Sequence, residues 1–431
     1  MKKNNQMKIF MAVLAFLAGG MAVGTSQAGN LLGEFRPEIH GEIEVETQFN
    51  RVYSVDKRQP GTHNTNVFSE CDDCIFRLGL FPELAIALNI GAAPEREELE
   101  KENVLYQDME MFAEELYIQY SSSNLVRSGF IDEVGFFGGK FNPVFGLVNG
   151  GLRAEFEFPG IFSEEFPEQY ELTEMLGGGV EFTFSHRHAG VHTLRASTFY
   201  KDNSFLQSAF PAYRERNRVF KGGVANNGTP QSWSVNLAGE DLPIGGLKYE
   251  LGFRFLESAT QYAAGALNEA GQALNIAKHD DVGVAAGLIY NKAFFLPRKT
   301  FRYPLDMKAM FEYAHFNNFN GIANANRSDR DYFTTTLQGK YGPWLLALIH
   351  SRQDIHVPWT PAELTAFDDN AGDEAEVNKS VGDDLYEVNL GYRFNHNWLL
   401  QGSWALTEEY EDQAAKEQGV FAIELDYQFV F

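Results

Sequence analysis

The end of the chain shows the strictest alternation of apolar and polar residues. Every second residue from 421 to 431 is apolar or aromatic, and the positions between them include Glu424, Asp426 and Gln428. A period of two predicts a β-strand with one apolar and one polar face. A soluble sheet seldom presents such a face at its edge, whereas a β-barrel in a lipid bilayer requires it. We therefore expect the apolar set to face lipid and the polar set to face a pore.

The same alternation recurs along the chain and predicts a series of short strands. Pro82 and Glu83 allow either a turn between two strands or one long strand bulged at Pro82. The residues around Cys71 and Cys74 are predicted to lie in a polar loop, and the charged segment 95–111 in an outer loop. With a turn at Pro82, the pattern predicts about sixteen strands, over residues 39–49, 74–81, 84–90, 116–120, 134–141, 177–185, 191–201, 232–239, 248–257, 282–290, 305–313, 332–341, 345–351, 385–394, 398–407 and 421–431.

The links between these strands alternate between long and short. Bacterial outer-membrane barrels have short periplasmic turns, long outer loops and an even number of strands. The predicted fold is all-β, a transmembrane antiparallel up-and-down β-barrel of about sixteen strands with both ends periplasmic. The terminal strand is expected to pair with residues 39–49 and with residues 398–407. Beyond the N-terminal segment, no stretch is long and apolar enough to cross a bilayer as a helix.

The N-terminus has the composition of a signal peptide. Three lysines flank or precede an apolar run over residues 9–23, and a Ser-Gln-Ala sequence ending at Ala28 fits a small-x-small cleavage site. We predict a cleaved signal peptide over residues 1–28 and a single barrel domain over 29–431. The alternative, a membrane-anchoring helix, is disfavoured because the run is short for a span. A formal net charge of −24 argues against a nucleic-acid-binding protein, which needs a basic surface.

Three features together resemble Gram-negative porins: the aromatic terminal strand, the alternating hairpins after a signal peptide, and a long acidic third outer loop over residues 142–175. The run 139–146, Gly-Lys-Phe-Asn-Pro-Val-Phe-Gly, is similar to the strand-to-loop segment of porin-like families that include the siderophore porins. The resemblance implies a location in the bacterial outer membrane and a third loop folded into the lumen. It permits a homotrimer without showing one. It also implies that the barrel-assembly machinery recognises Tyr427, Phe429 and Phe431.

The predicted function is a passive outer-membrane channel for small hydrophilic solutes, narrowed by the third loop. A porin selects solutes by the width and charge of its lumen. The acidic composition favours cations and the basic wall residues favour anions, so the sequence leaves charge selectivity open. The constriction is predicted to involve Arg153, Glu155, Glu157, Glu164, Glu165 and Glu168 of the loop. The basic residues of the lumen wall are predicted to be Arg77, Lys140, Arg195, Arg254, Lys308, Lys340 and Arg393.

Two other functions fit the same pattern: a ligand-specific uptake porin or receptor, for example for an iron chelate, and a non-conducting structural or adhesive barrel. The chain has no GxSxG or HExxH motif, and we predict neither an enzyme nor a cofactor. A catalytic triad spread over several strands leaves no linear motif and stays open. Cys71 and Cys74 lack the histidine of haem attachment and the further ligands of a zinc site, so a local disulfide in an outer loop is expected.

Overall fold

The computed structural model describes residues 35, 37–54, 64–94, 104–105, 109–123, 131–147, 160–162, 165–211, 219, 223–258, 279–295, 302–319, 328–356, 381–411 and 414–431. Within them, no helix is long and apolar enough to cross a membrane. Sixteen long strands dominate the fold: β1 Glu38–Ser54, β2 Asn64–Phe81, β3 Leu84–Pro94, β4 Met109–Ser122, β5 Glu133–Phe141, β6 Met175–His186, β7 Gly190–Lys201, β8 Ser232–Glu240, β9 Leu247–Leu256, β10 Asp281–Phe294, β11 Leu305–Phe319, β12 Ser328–Tyr341, β13 Trp344–His356, β14 Val381–Arg393, β15 Trp398–Glu411 and β16 Ala414–Val430.

These strands form a closed antiparallel ring. Each strand pairs with its neighbour in sequence, and β16 pairs with both β15 and β1. The register places Ile43 opposite Phe429 and Phe49 opposite Ile423 at the seam of the ring. The all-β class, the barrel of sixteen strands and the two partners of the terminal strand are therefore confirmed.

The links at the two ends of the barrel differ in length, as predicted. Pro82 and Glu83 form a turn between β2 and β3, which excludes one long bulged strand. β1 begins and β16 ends at this same end of the ring. Residues 142–174 and 202–231 link strands at the other end, where the long links lie. Three links depart from this pattern: only residues 412–413 separate β15 from β16 at the long-link end, and residues 123–132 and 295–304 form longer links at the turn end.

Two segments predicted as loops belong to strands. β2 begins at Asn64, so it includes the residues before position 74, and β4 begins at Met109, inside the segment 95–111. A two-residue strand, Val104–Leu105, also runs parallel to β2. Strands of such a barrel extend beyond the lipid, where both of their faces contact water, and period-two alternation then carries no signal.

Cys71 and Cys74 form a disulfide inside β2, and the predicted position in an outer loop is wrong. Their Cα atoms lie 5.9 Å apart. In a regular strand, residues three apart are separated by about 10 Å, which a disulfide cannot bridge. The register against β3 shifts here, with Cys71 opposite Ala92 and Cys74 opposite Ile90. This bulge in β2 brings the two cysteines together.

The pleat of the strands separates an apolar outer face from a polar inner face. On β16, Ile423 and Leu425 are exposed, whereas the alternating Ala422, Glu424 and Asp426 are buried. Apolar side chains point outward in the same way on the neighbouring strands. At the turn end, rings also pair across strands on the outer face, Trp344 with Tyr392 and Trp398 with Tyr427. An outward apolar band edged by aromatic rings is what a bilayer-spanning barrel presents to lipid.

Candidate functional site

The inner face of the barrel is the candidate functional site, because it is polar and enclosed by the wall. Its positions alternate with the exposed apolar positions of the same strands. Buried polar side chains need hydrogen-bond partners or water. On three adjacent strands the inner face carries Glu387 and Asn389 of β14, Gln401 and Ser403 of β15, and Glu424, Asp426 and Gln428 of β16.

Asn142 joins the two ends of the third loop at the point where the loop leaves the wall. Its backbone N–H donates to Glu115 Oε1 at 2.8 Å, and its Nδ2 donates to Glu114 Oε1 at 2.7 Å. Its Oδ1 accepts from the backbone N–H of Glu174 at 2.9 Å. Glu174 has a φ of 56°, in the left-handed region that non-glycine residues rarely adopt. The loop therefore leaves and re-enters the sheet through one hydrogen-bonded junction.

Glu312, on the inner face of β11, binds both the first part and the last part of the loop. It accepts hydrogen bonds from the backbone N–H of Leu147 and from the hydroxyl of Tyr170. Burial and the adjacent Glu312 carboxylate raise the pKa of the Tyr170 hydroxyl well above its usual value, so this hydroxyl stays a donor at neutral pH. The approach to the wall is close, because a Cβ atom at Gly287 of β10 would lie 2.2 Å from Leu147 Cγ.

Glu387, on the inner face of β14, holds the middle of the loop. Its Oε1 accepts from the backbone N–H of Ile161 at 2.7 Å, and its Oε2 accepts from that of Phe162 at 3.2 Å. A Cβ atom at Gly160 would lie 2.8 Å from the same carboxylate. β14 is the eighth strand after β6 in a ring of sixteen. Residues 160–162 thus contact the wall on the far side of the barrel from the strands that the loop connects.

Aromatic rings and one arginine fill the space between the loop and β9 to β11. The ring of Phe316 lies 5.7 Å from that of Phe145 and 5.4 Å from that of Tyr170. The Arg254 guanidinium lies 4.2 Å above the Phe316 ring. It donates to the Tyr170 carbonyl at 2.7 Å and to Asp281 Oδ2 at 2.9 Å. The loop is therefore packed against the wall as well as hydrogen-bonded to it.

Two predicted lumen-wall cations are buried, which corrects their assignment. Arg254 is 2% exposed and forms the ion pair with Asp281. Lys140 is fully buried, and its Nζ lies 3.0 Å from Glu174 Oε2 and 3.3 Å from Asp202 Oδ2. Glu174 and Asp202 both lie far from Lys140 in the sequence, so the spacing of residues along one strand could not reveal these ion pairs. These two cations are neutralised within the protein and do not line the pore.

The other predicted wall cations are less buried. The guanidinium of Arg195 lies 4.4 Å from the centre of the Phe137 ring, and its Nε lies 3.8 Å from Glu181 Oε2. Its charge is therefore partly offset. Arg77 and Lys340 are exposed and Lys308 and Arg393 are partly exposed.

The predicted constriction residues are only partly covered by the described segments. Arg153, Glu155, Glu157 and Glu164 lie outside them. Glu165 and Glu168 begin and end a single helical turn, and Glu168 is exposed. Sequence analysis did not identify the groups that fasten the loop, Asn142 and Tyr170, or the fastening role of Glu312 and Glu387. The sequence did contain a signal for the two glutamates. Each is an acidic residue at the middle of a transmembrane strand, which is a position where a specific contact is expected.

Three carboxylates meet on the inner face where β1 and β16 pair. The side-chain oxygens of Glu46, Glu424 and Asp426 lie within 4.8 Å of one another. Gln401 donates to Glu424 Oε1 at 2.5 Å and to Asp426 Oδ2 at 3.3 Å. On the adjacent position of the same face, Gln428 donates to Glu42 Oε1 at 2.6 Å. Acidic side chains are therefore concentrated on this side of the wall, where the carboxylates repel one another when ionised.

Comparison with known proteins finds similarity to solved barrels only. No protein-family profile matches the chain, and no curated protein sequence matches it. Pseudomonas putida OprB has a TM-score of 0.49 and 10% identity, over 94% of this chain and 96% of that chain. Vibrio cholerae OmpT has 0.45 and 10%, over 91% and 97%, and the Acinetobacter baumannii channel DcaP has 0.46 and 9%, over 91% and 97%. The porin-like architecture of this chain is evident in its own strand number, closure and link lengths.

Proposed function

We propose that this protein is an outer-membrane porin, a passive channel for small hydrophilic solutes that the loop over residues 142–175 narrows. The observation that carries the proposal is the contact of Ile161 and Phe162 with Glu387 on the opposite wall. A segment that spans an open-ended barrel divides its cross-section. The area of the cross-section that stays open then limits the size of the solutes that pass.

The two faces of the wall support the same function. The outer face offers lipid an apolar surface, and the inner face offers water a row of carboxylates and amides. We infer outer-membrane lipid and small hydrophilic solutes as the partners, with no catalytic step. Tyr427, Phe429 and Phe431 lie at the end of β16, and the exposure of Phe429 and Phe431 favours their recognition by the barrel-assembly machinery. Residues 1–28, outside the described segments, are proposed as the export signal.

Planar lipid bilayers provide the test. We expect the folded full-length barrel to insert and to produce stepwise increases in current, and liposomes that contain it to admit small sugars and exclude larger ones. The control is the same protein after heating, which should give neither effect. Folded protein that inserts without any current step would overturn the proposal. If that protein still promoted uptake of one chelate, ligand-specific uptake would replace passive diffusion.

A further inference from the structure

One link at the turn end of the barrel is basic, although the chain as a whole is acidic. Residues 295–304 connect β10 to β11 and include three basic residues and no acidic residue, in a chain with a net charge of −24. The other longer link at this end, residues 123–132, has one basic and one acidic residue. Residues 295 and 302–304 of the basic link lie within the described ranges. We therefore searched the wall beside them for further cations.

Lys292 and Arg302 are exposed, and each lies against an aromatic ring. Lys292 shares the register of the exposed Tyr290, so its side chain is on the outer face of β10. Its Nζ lies 5.5 Å from the centre of the Phe294 ring, and the Arg302 guanidinium lies 5.4 Å from the centre of the Tyr303 ring. Both distances are within the range of cation–π contacts. In the described part of the chain neither cation makes an ion pair, so both charges are available to a ligand.

Both cations lie at the level of the aromatic rings that border the lipid. The register places Leu305 opposite both Phe294 and Tyr341, and it places Tyr341 opposite Trp344 of the aromatic edge. The backbone N–H of Arg302 donates to the Tyr341 hydroxyl at 3.1 Å. Neighbouring strands are about 4.8 Å apart, so the Phe294 and Tyr341 positions are separated by about 10 Å. Lys292 and Arg302 therefore flank one short stretch of the outer face.

The outer face around these cations carries no carboxylate among its described residues. Its positions nearest the turn end are Tyr290, Lys292 and Phe294 of β10, Leu305 and Met307 of β11, and Gly339 and Tyr341 of β12. Asp306 shares the register of the buried Met310, so it points to the other face of the wall. This surface is therefore cationic and lies directly above apolar wall.

We propose that this surface, made by Lys292 and Arg302, binds the phosphate group of an anionic phospholipid in the periplasmic leaflet. The ammonium and guanidinium groups supply charge-assisted donors to phosphate oxygens. The apolar positions deeper on the same strands, Leu288 and Leu337, are exposed and can contact the acyl chains. Short links mark the periplasmic end of an outer-membrane barrel, so the phospholipid is one of that leaflet. Basic residues close to a bilayer surface attract anionic lipids.

The charge and position of the surface favour an anionic lipid over other occupants. A second copy of the chain in a two-fold contact would bring the same cations of the two copies together, and like charges repel. A zwitterionic lipid carries an ammonium group beside its phosphate, which the two cations repel. The inference rests on the proposed orientation of the barrel in its membrane and not on whether the lumen conducts.

Native mass spectrometry of the full-length protein in detergent tests the proposal. The probes are phosphatidylglycerol and phosphatidylethanolamine with the same acyl chains. We expect the wild type to prefer phosphatidylglycerol by about tenfold, since each basic residue near a bilayer surface contributes to anionic-lipid binding. The double variant Lys292→Gln with Arg302→Gln should bind the two lipids about equally. The matched control is Arg51→Gln with Arg187→Gln, which removes two exposed positive charges elsewhere and should keep the preference.

Three results would overturn the inference. They are equal binding of the two lipids by the wild type, an unchanged preference in the double variant, or an equal loss of preference in the control. Each variant must show the heat-sensitive migration of a folded barrel. If the double variant does not fold, the single variants Lys292→Gln and Arg302→Gln replace it, and each should lose part of the preference.

Bilayer current measured on the same wild-type sample separates this inference from the proposed function. A barrel that selects phosphatidylglycerol without conducting contradicts the proposed function alone. A barrel that conducts without selecting this lipid contradicts the present inference alone.

Discussion

Phe431 and Gly41 close the barrel at its seam. The two residues exchange both backbone hydrogen bonds, with N···O distances of 3.0 Å in each direction. The ring of Phe431 lies directly over Gly41, where a Cβ atom would come within 2.3 Å of ring atom Cζ. The terminal aromatic residue thus packs on the first strand, and the glycine is the residue type that leaves room for it.

A methyl group at Gly41 is therefore expected to disturb closure. Gly41→Ala should displace the Phe431 ring and reduce the free energy of unfolding by about 1–3 kcal/mol, as overpacking does. Urea unfolding in detergent measures this loss of unfolding free energy, with the folded fraction read from the heat-sensitive electrophoretic migration of the barrel. Gly79→Ala on the adjacent β2 is the matched control, because its Cβ would lie 3.7 Å from the nearest atom. Equal losses in the two variants would show that the ring contact is unimportant.

Tyr170→Phe is expected to loosen the third loop while keeping its ring packing. The variant removes the hydroxyl that donates to the buried Glu312 carboxyl. Loss of a hydrogen bond to a buried acceptor costs about 1–3 kcal/mol. We expect a lower barrier to loop displacement, seen as more frequent current fluctuations in single-channel records. Tyr249→Phe, whose hydroxyl contacts His192 away from the loop, should leave the records unchanged.

Arg254 and Asp281 are expected to behave as one unit. Each single change, Arg254→Met or Asp281→Asn, leaves a buried charge without its main counter-charge, and such losses are about 3–5 kcal/mol. The double variant should lose less than the sum of the single losses. A double-mutant cycle of unfolding free energies measures the coupling. Strict additivity would mean that the two side chains do not interact in the folded barrel.

Neutralising the carboxylates at the β1–β16 pair is expected to weaken a cation preference of the pore. Glu46→Gln with Asp426→Asn removes two of the three carboxylates of this cluster. The reversal potential in a KCl gradient should be cation-selective in the wild type and shift toward zero in the variant. The shift should be smaller above 1 M salt, where the screening length is about 3 Å. Asp241→Asn, in an exposed turn, is the control for charge outside the lumen. An unchanged potential would place the selective charges elsewhere.

For the candidate functional site, the sequence predicted the location in the barrel interior better than it predicted the individual residues. The barrel interior followed from the inner set of β16, where Glu424 and Asp426 are buried between exposed apolar residues. Of the cations predicted for the lumen wall, Lys140 and Arg254 are enclosed by ion-pair partners from other segments. The contact between Ile161 and Glu387 joins residues 226 positions apart, and no local pattern encodes it.

The sequence by itself determined the parts of the strands that span the lipid, their order around the ring and the side chains that face lipid. It could do so because the pleat of a strand is a local property: within the lipid, one face is apolar and the other polar, with a period of two. Only the tertiary structure decided the bulge that joins Cys71 to Cys74, the burial of Lys140 and the attachment of the third loop to Glu312 and Glu387. Each of these depends on which distant segments meet inside the closed ring, and closure is a property of the whole chain.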